Sequence, residues 1–65
     1  MAKWETTSGN RRFVIVEDHP DGFYLYVFKG NENTHDHHQD TFEHAVEQAH
    51  EEFGVNPTSW APIED

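Results

Sequence analysis

Two runs of β-branched and aromatic residues dominate the first half of the chain. Arg12-Phe13-Val14-Ile15-Val16-Glu17 and Phe23-Tyr24-Leu25-Tyr26-Val27-Phe28-Lys29 stand on either side of His19-Pro20-Asp21-Gly22. Such runs favour strands, and the intervening residues have turn chemistry: Pro presets φ, Asp tolerates the bridge region and Gly supplies positive φ. A hairpin follows. If Pro20-Asp21-Gly22 is a three-residue loop, His19 faces Phe23. Phe13, Ile15, Leu25 and Val27 then share one face, and Val14, Val16, Tyr24, Tyr26 and Phe28 share the other. A two-residue Asp21-Gly22 turn would shift the pairing by one.

Lys3 to Thr7, centred on Trp4, reads as a first strand closed by the turn Ser8-Gly9-Asn10. Gly30 to Asn33 is a second turn. The polar stretch Thr34-His35-Asp36-His37-His38-Gln39 is either an edge strand or a loop. The period then changes. Phe42, Ala45, Val46, Ala49 and Phe53 fall on one face of a helix. Asp40 with Glu43 has the form of a capping box. Gly54-Val55 forms a left-handed stop, and Pro57 follows it. Asn56-Pro57-Thr58-Ser59 makes a further turn that returns Trp60 to the body. The expected fold is α+β in a single domain, residues 1–65. It consists of an antiparallel β-meander of three strands, or four with residues 34–39, followed by one amphipathic α-helix packed on one face.

Both faces of the hairpin are apolar, but the chain has one helix to cover them. The aliphatic face is expected under Phe42, Val46, Ala49 and Phe53. Over the other face, Trp4 and Trp60 could fold in from the two chain ends. Alternatively Tyr24, Tyr26 and Phe28 stay open as a docking surface or are buried in a homodimer, a role that rigid, polar-tipped tyrosines suit.

The chain carries 13 Asp and Glu against 4 Lys and Arg, a formal net charge of −9. Such a surface repels phosphate backbones and anionic membranes, so no direct nucleic-acid binding and no membrane association are expected. With no membrane-length apolar run and no signal-peptide core, the expected location is cytoplasmic. There is no cysteine, which excludes disulfides, thiolate metal sites and a Cys nucleophile. Ser8 and Ser59 lie in turns without a triad pattern, and no phosphate-binding glycine loop is present, so no catalytic residues are assigned and the chain is not expected to be an enzyme.

On the helix, His44, Glu47, Gln48 and Glu51 face away from the apolar stripe, with Glu43 and Glu52 flanking it. Glu51 and Glu52 occupy the last turn, where the macrodipole favours cations. This acidic face is a solvated surface, an adaptation to high salt, or a recognition surface for a basic partner. Six histidines are present, five of them at positions 35, 37, 38, 44 and 50. In a strand, His35 and His37 point the same way, and His44 or Asp40 could complete a site for a divalent transition metal such as Zn²⁺, Ni²⁺ or Cu²⁺. The competing reading is a solvated connector with no cofactor. Protonating all six near their reference pKa of about 6.5 would take the net charge from −9 to −3. Association should therefore increase as the pH falls.

Asp40-Thr41-Phe42-Glu43, Ala45, Ala49, Glu52-Phe53-Gly54-Val55 and Trp60 resemble the C-terminal half of small uncharacterised bacterial proteins, in which a polar strand leads into a helix ending Glu-Phe-Gly. The resemblance covers under half the chain. It implies a sheet-plus-helix fold and no particular activity. Taken together, these features suggest a non-catalytic acidic protein-interaction module, such as a small inhibitor or accessory protein. Its candidate residues are Tyr24, Tyr26, Phe28, Glu47 and Glu51. The alternative is a small histidine-rich metal-binding protein using His35, His37 and His44.

Overall fold

A computed structural model of the protein describes residues 2–18 and 20–63. The chain runs β1 (Lys3–Ser8), β2 (Arg11–Asp18), β3 (Gly22–Lys29), β4 (Glu32–Gln39), α1 (Phe42–Phe53) and β5 (Ala61–Ile63). All five strands form one antiparallel sheet in the order β4-β3-β2-β1-β5. The four meander strands are consecutive, and the helix crosses one face. The chain then returns to add β5 at the far edge.

The faces of the hairpin are as its alternation predicts, but its pairing differs. Phe23 pairs with Glu17 and Gly22 with Asp18, so Phe13 meets Val27 and Ile15 meets Leu25. The expected partner of Phe23, His19, lies outside the described residues. The observed register is two residues from the expected one. A slip of two preserves which side each residue faces, because side chains alternate with period two.

Phe13, Ile15, Leu25 and Val27 are fully buried beneath Ala45 and Ala49 of α1, with Val55 completing the core. Each fully buried large apolar side chain stabilises the fold by about 1.5–3 kcal/mol. Phe42, Val46 and Phe53 close over this centre as half-buried residues. The helix cap is Thr41 and not Asp40: its backbone is extended and its hydroxyl accepts from the His44 N–H at 3.1 Å. The cap therefore sits one residue later than the Asp40/Glu43 pattern suggests, and Phe42, the first helical residue, packs against Trp4 and Phe23. Gly54, at φ 72°, ends the helix as expected. Its N–H donates to His50 at 3.0 Å, and that of Val55 to Ala49 at 3.3 Å.

Beyond it, Asn56 caps its own turn, its side-chain oxygen accepting from the Thr58 N–H at 3.0 Å. The Thr6 hydroxyl donates to Ser59, and Ser59 donates to the Asn56 carbonyl, which ties the turn to β1. Trp60 does return to the body. Both tryptophans, however, pack on the helix side. Trp4 pairs with Ile15 and meets Phe42 in a tilted arrangement, with ring centroids 4.5 Å apart, while Trp60 packs against the helix-side core. Neither lies over the tyrosines.

The polar segment is a full strand, β4, made possible by a bulge between Val27 and Phe28. Val27 pairs with His35 and Phe28 with Asn33, leaving Thr34 as the extra residue, and its hydroxyl donates to the Val27 carbonyl at 3.3 Å. β5 had no strand signal in the sequence. It is three residues long with Pro62 at its centre, a residue tolerated only where its missing N–H is not needed by a neighbour.

Candidate functional site

Strand pairing defines what the uncovered side of the sheet presents. Lys3, Val16, Tyr24 and His38 form one cross-strand row, and Glu5, Val14, Tyr26 and Asp36 the next. Arg12 and Phe28 lie beyond them. Among the described residues, no helix or loop lies across this side. It holds a shallow trough of about 320 Å³ lined by strand residues, with Ile63 of β5 at one edge. Tyr24, Tyr26 and Phe28 are half-buried by their sheet neighbours alone.

The face is ordered by its own contacts. Tyr24 and Tyr26 stack with centroids 6.2 Å apart, and the His38 ring lies 5.1 Å from Tyr24. The His38 Nε2 donates to the Asp21 carbonyl. Arg12 sits over the Phe28 ring at 4.8 Å and 4.0 Å from the Glu5 carboxylate. The Tyr24 phenol is raised above its ordinary value, first by desolvation and then by Asp21, Asp18 and Tyr26. It therefore remains an O–H donor at neutral pH.

The opposite side is acidic. Residues 1–29 contain all four Lys and Arg together with four carboxylates, so the −9 charge arises entirely beyond them. β4 and the helix region contain Glu32, Asp36, Asp40, Glu43, Glu47, Glu51 and Glu52 with no Lys or Arg, and of these Asp36 faces the open side in the Tyr26 row. Glu47, Glu51 and Glu52 line a groove of about 380 Å³ with Gln39, His44 and Gln48. Gln39 donates to Gln48 at 2.9 Å and Gln48 to Glu52 at 2.7 Å, anchoring α1 to the β4 edge. Glu47 and Glu51 are exposed and free to meet a partner. The two sets of candidate interaction residues therefore lie on opposite sides of the molecule. The charge split was legible in the order of residues alone, from the absence of any Lys or Arg after Lys29.

His35 and His37 point to the same side of β4, as their spacing requires, and their rings stack with centroids 6.0 Å apart. That side faces the helix, where His35 meets the edge of Phe53 at 5.2 Å. The pair extends the core toward the sheet edge, and the Nε2 of His37 is buried without a hydrogen-bond partner. Among the described residues no three His, Asp or Glu side chains are gathered to hold a metal ion, so His44 does not join the pair.

The chain matches no protein-family model, no curated protein and no solved structure. No helix among the described residues is long and apolar enough to cross a membrane.

Proposed function

We propose that this protein is a non-catalytic interaction module, an accessory or inhibitor protein whose acidic β4–α1 side binds a basic surface on a partner protein. The observation that carries this reading is the separation of charge. The β1–β3 sheet is balanced, while β4 and α1 present carboxylates with no Lys or Arg among them. A predominantly acidic surface, with the Arg11 guanidinium set over Phe53 at the end of α1, accelerates encounter with oppositely charged partners and disfavours nucleic acids. Glu47 and Glu51, one helical turn apart and exposed, form the centre of that surface.

The test is capture of a partner from the native host, followed by titration with the purified partner. Binding should weaken at least tenfold between 50 and 300 mM KCl, and by a similar factor in Glu47→Gln/Glu51→Gln, because screened or removed charges no longer contribute. Binding indifferent to both changes would overturn the proposal. So would a chain that unfolds at low salt and refolds in molar KCl, since its acidity would then serve salt adaptation.

A further inference from the structure

The open sheet face is the part of the molecule that the acidic-side reading does not use. We propose that it is a homodimer interface, in which two copies pack these faces together about a two-fold axis. The proposal is independent of the partner reading, since it concerns the other side of the sheet.

Charge selects a second copy as the occupant. Elsewhere the approach of two −9 molecules is opposed by like charge. At the centre of this face, Lys3 and Arg12 are set against Glu5 and Asp36, with Asp18 at the hairpin end. Lys3 and Glu5 occupy adjacent rows of β1, and Arg12 and Asp18 occupy the two outer rows of β2. A two-fold axis in the plane of the sheet, perpendicular to the strands and between the Tyr24 and Tyr26 rows, lays each strand over its own copy with the rows exchanged. Lys3 of each copy then lies over Glu5 of the other, Arg12 over Asp18 and His38 over Asp36, so the pattern is self-complementary, as an isologous interface requires. Tyr24, Tyr26, Phe28 and Val14 provide the apolar centre. Aromatic anchors surrounded by polar groups characterise such interface centres.

The area suits a weak dimer. The five strands project roughly 500 Å² at standard strand spacing and rise, and side-chain relief enlarges the accessible area. Specific interfaces take about 600–1,000 Å² from each partner, so the projected face falls somewhat below that range, in the class of weak, transient contacts. Sheets packed face to face sit about 10 Å apart, close enough for the tyrosines to interdigitate. The helices, with Glu47 and Glu51, remain on the two outer surfaces of the dimer. Two copies of the acidic surface would then be available to one partner.

Sedimentation equilibrium of the purified chain from 10 µM to 1 mM tests the proposal. A monomer–dimer equilibrium is expected, strengthening several-fold from 20 to 150 mM salt as screening reduces the net repulsion. Tyr24→Ser/Tyr26→Ser should weaken it at least tenfold, while Glu47→Gln/Glu51→Gln leaves it intact or tightens it. A wild-type chain that stays monomeric at 1 mM overturns the proposal, as does a dimer insensitive to the tyrosine substitutions. If the tyrosine variant does not fold, carbodiimide coupling of the wild type decides. In an equal mixture of ¹⁵N-labelled and unlabelled chains, a zero-length link between chains joins only groups that the interface brings together. A Lys3–Glu5 amide joining a labelled to an unlabelled chain supports the face-to-face arrangement. A dimer band linked only through helix carboxylates refutes it.

Discussion

Substituting Gly22 by alanine tests whether the polar β4 strand closes against the hairpin. Gly22 has φ 115°, and a Cβ there would lie 2.7 Å from the Gln39 carbonyl oxygen and 3.2 Å from His38 Nε2. Gly9 is the internal control, with φ 63° and nothing within 4 Å of a Cβ. Both substitutions force a non-glycine residue to positive φ, which costs about 1–2 kcal/mol, offset by about 0.4–1 kcal/mol from the reduced freedom of the unfolded chain. Gly9→Ala should therefore cost about 1 kcal/mol. Gly22→Ala must in addition displace a backbone carbonyl at the end of the β3–β4 ladder, which adds about 1–3 kcal/mol where a hydrogen bond is lost. A 65-residue chain has a total stability of roughly 3–10 kcal/mol, so this extra loss is readily measured. Urea unfolding followed by the fluorescence of Trp4 and Trp60 is the assay. With an m-value of about 1 kcal/mol/M, the Gly22→Ala midpoint should fall about 1–3 M further than that of Gly9→Ala. Equal midpoints would refute the close approach of β4 to the hairpin end.

Two further outcomes follow from single contacts. Thr41→Ala should destabilise the fold by about 1 kcal/mol because it removes the acceptor for the His44 N–H, whereas Asp40→Ala should change it by less than about 0.5 kcal/mol. Equal losses in thermal melts would restore Asp40 as the cap. Tyr24 should titrate above 10 in absorbance at 295 nm, and Tyr24→Phe should remove that late phase. Since the folded state favours the neutral phenol, its stabilising contribution is complete below pH 10 and is lost as the pH rises through the higher folded value.

The sequence by itself determined the local elements and the sidedness of the hairpin. Alternation in Phe13-Val14-Ile15-Val16 and Tyr24-Leu25-Tyr26-Val27 specifies which residues share a face, and it does so even when the pairing moves by two positions. The helix stripe and the Gly54 stop are likewise local patterns, because 3.6-residue periodicity and positive φ are properties of neighbouring residues. The charge split behind the acidic surface also lies in residue order alone.

What only the tertiary structure decided depends on distant partners. β4 is a strand because β3 accepts its backbone across a bulge, although its side chains have no strand alternation of apolar residues. β5 exists because the turn at Asn56–Ser59 delivers three residues to the free edge of β1. Trp4 could have covered either side of the sheet. Its pairing with Ile15 placed it beside Phe42 and Phe23, where aromatic contacts complete the helix-side core. That packing leaves Tyr24, Tyr26 and Phe28 on a face that no other described part of the chain covers, because one helix and two tryptophans are all committed to the other side.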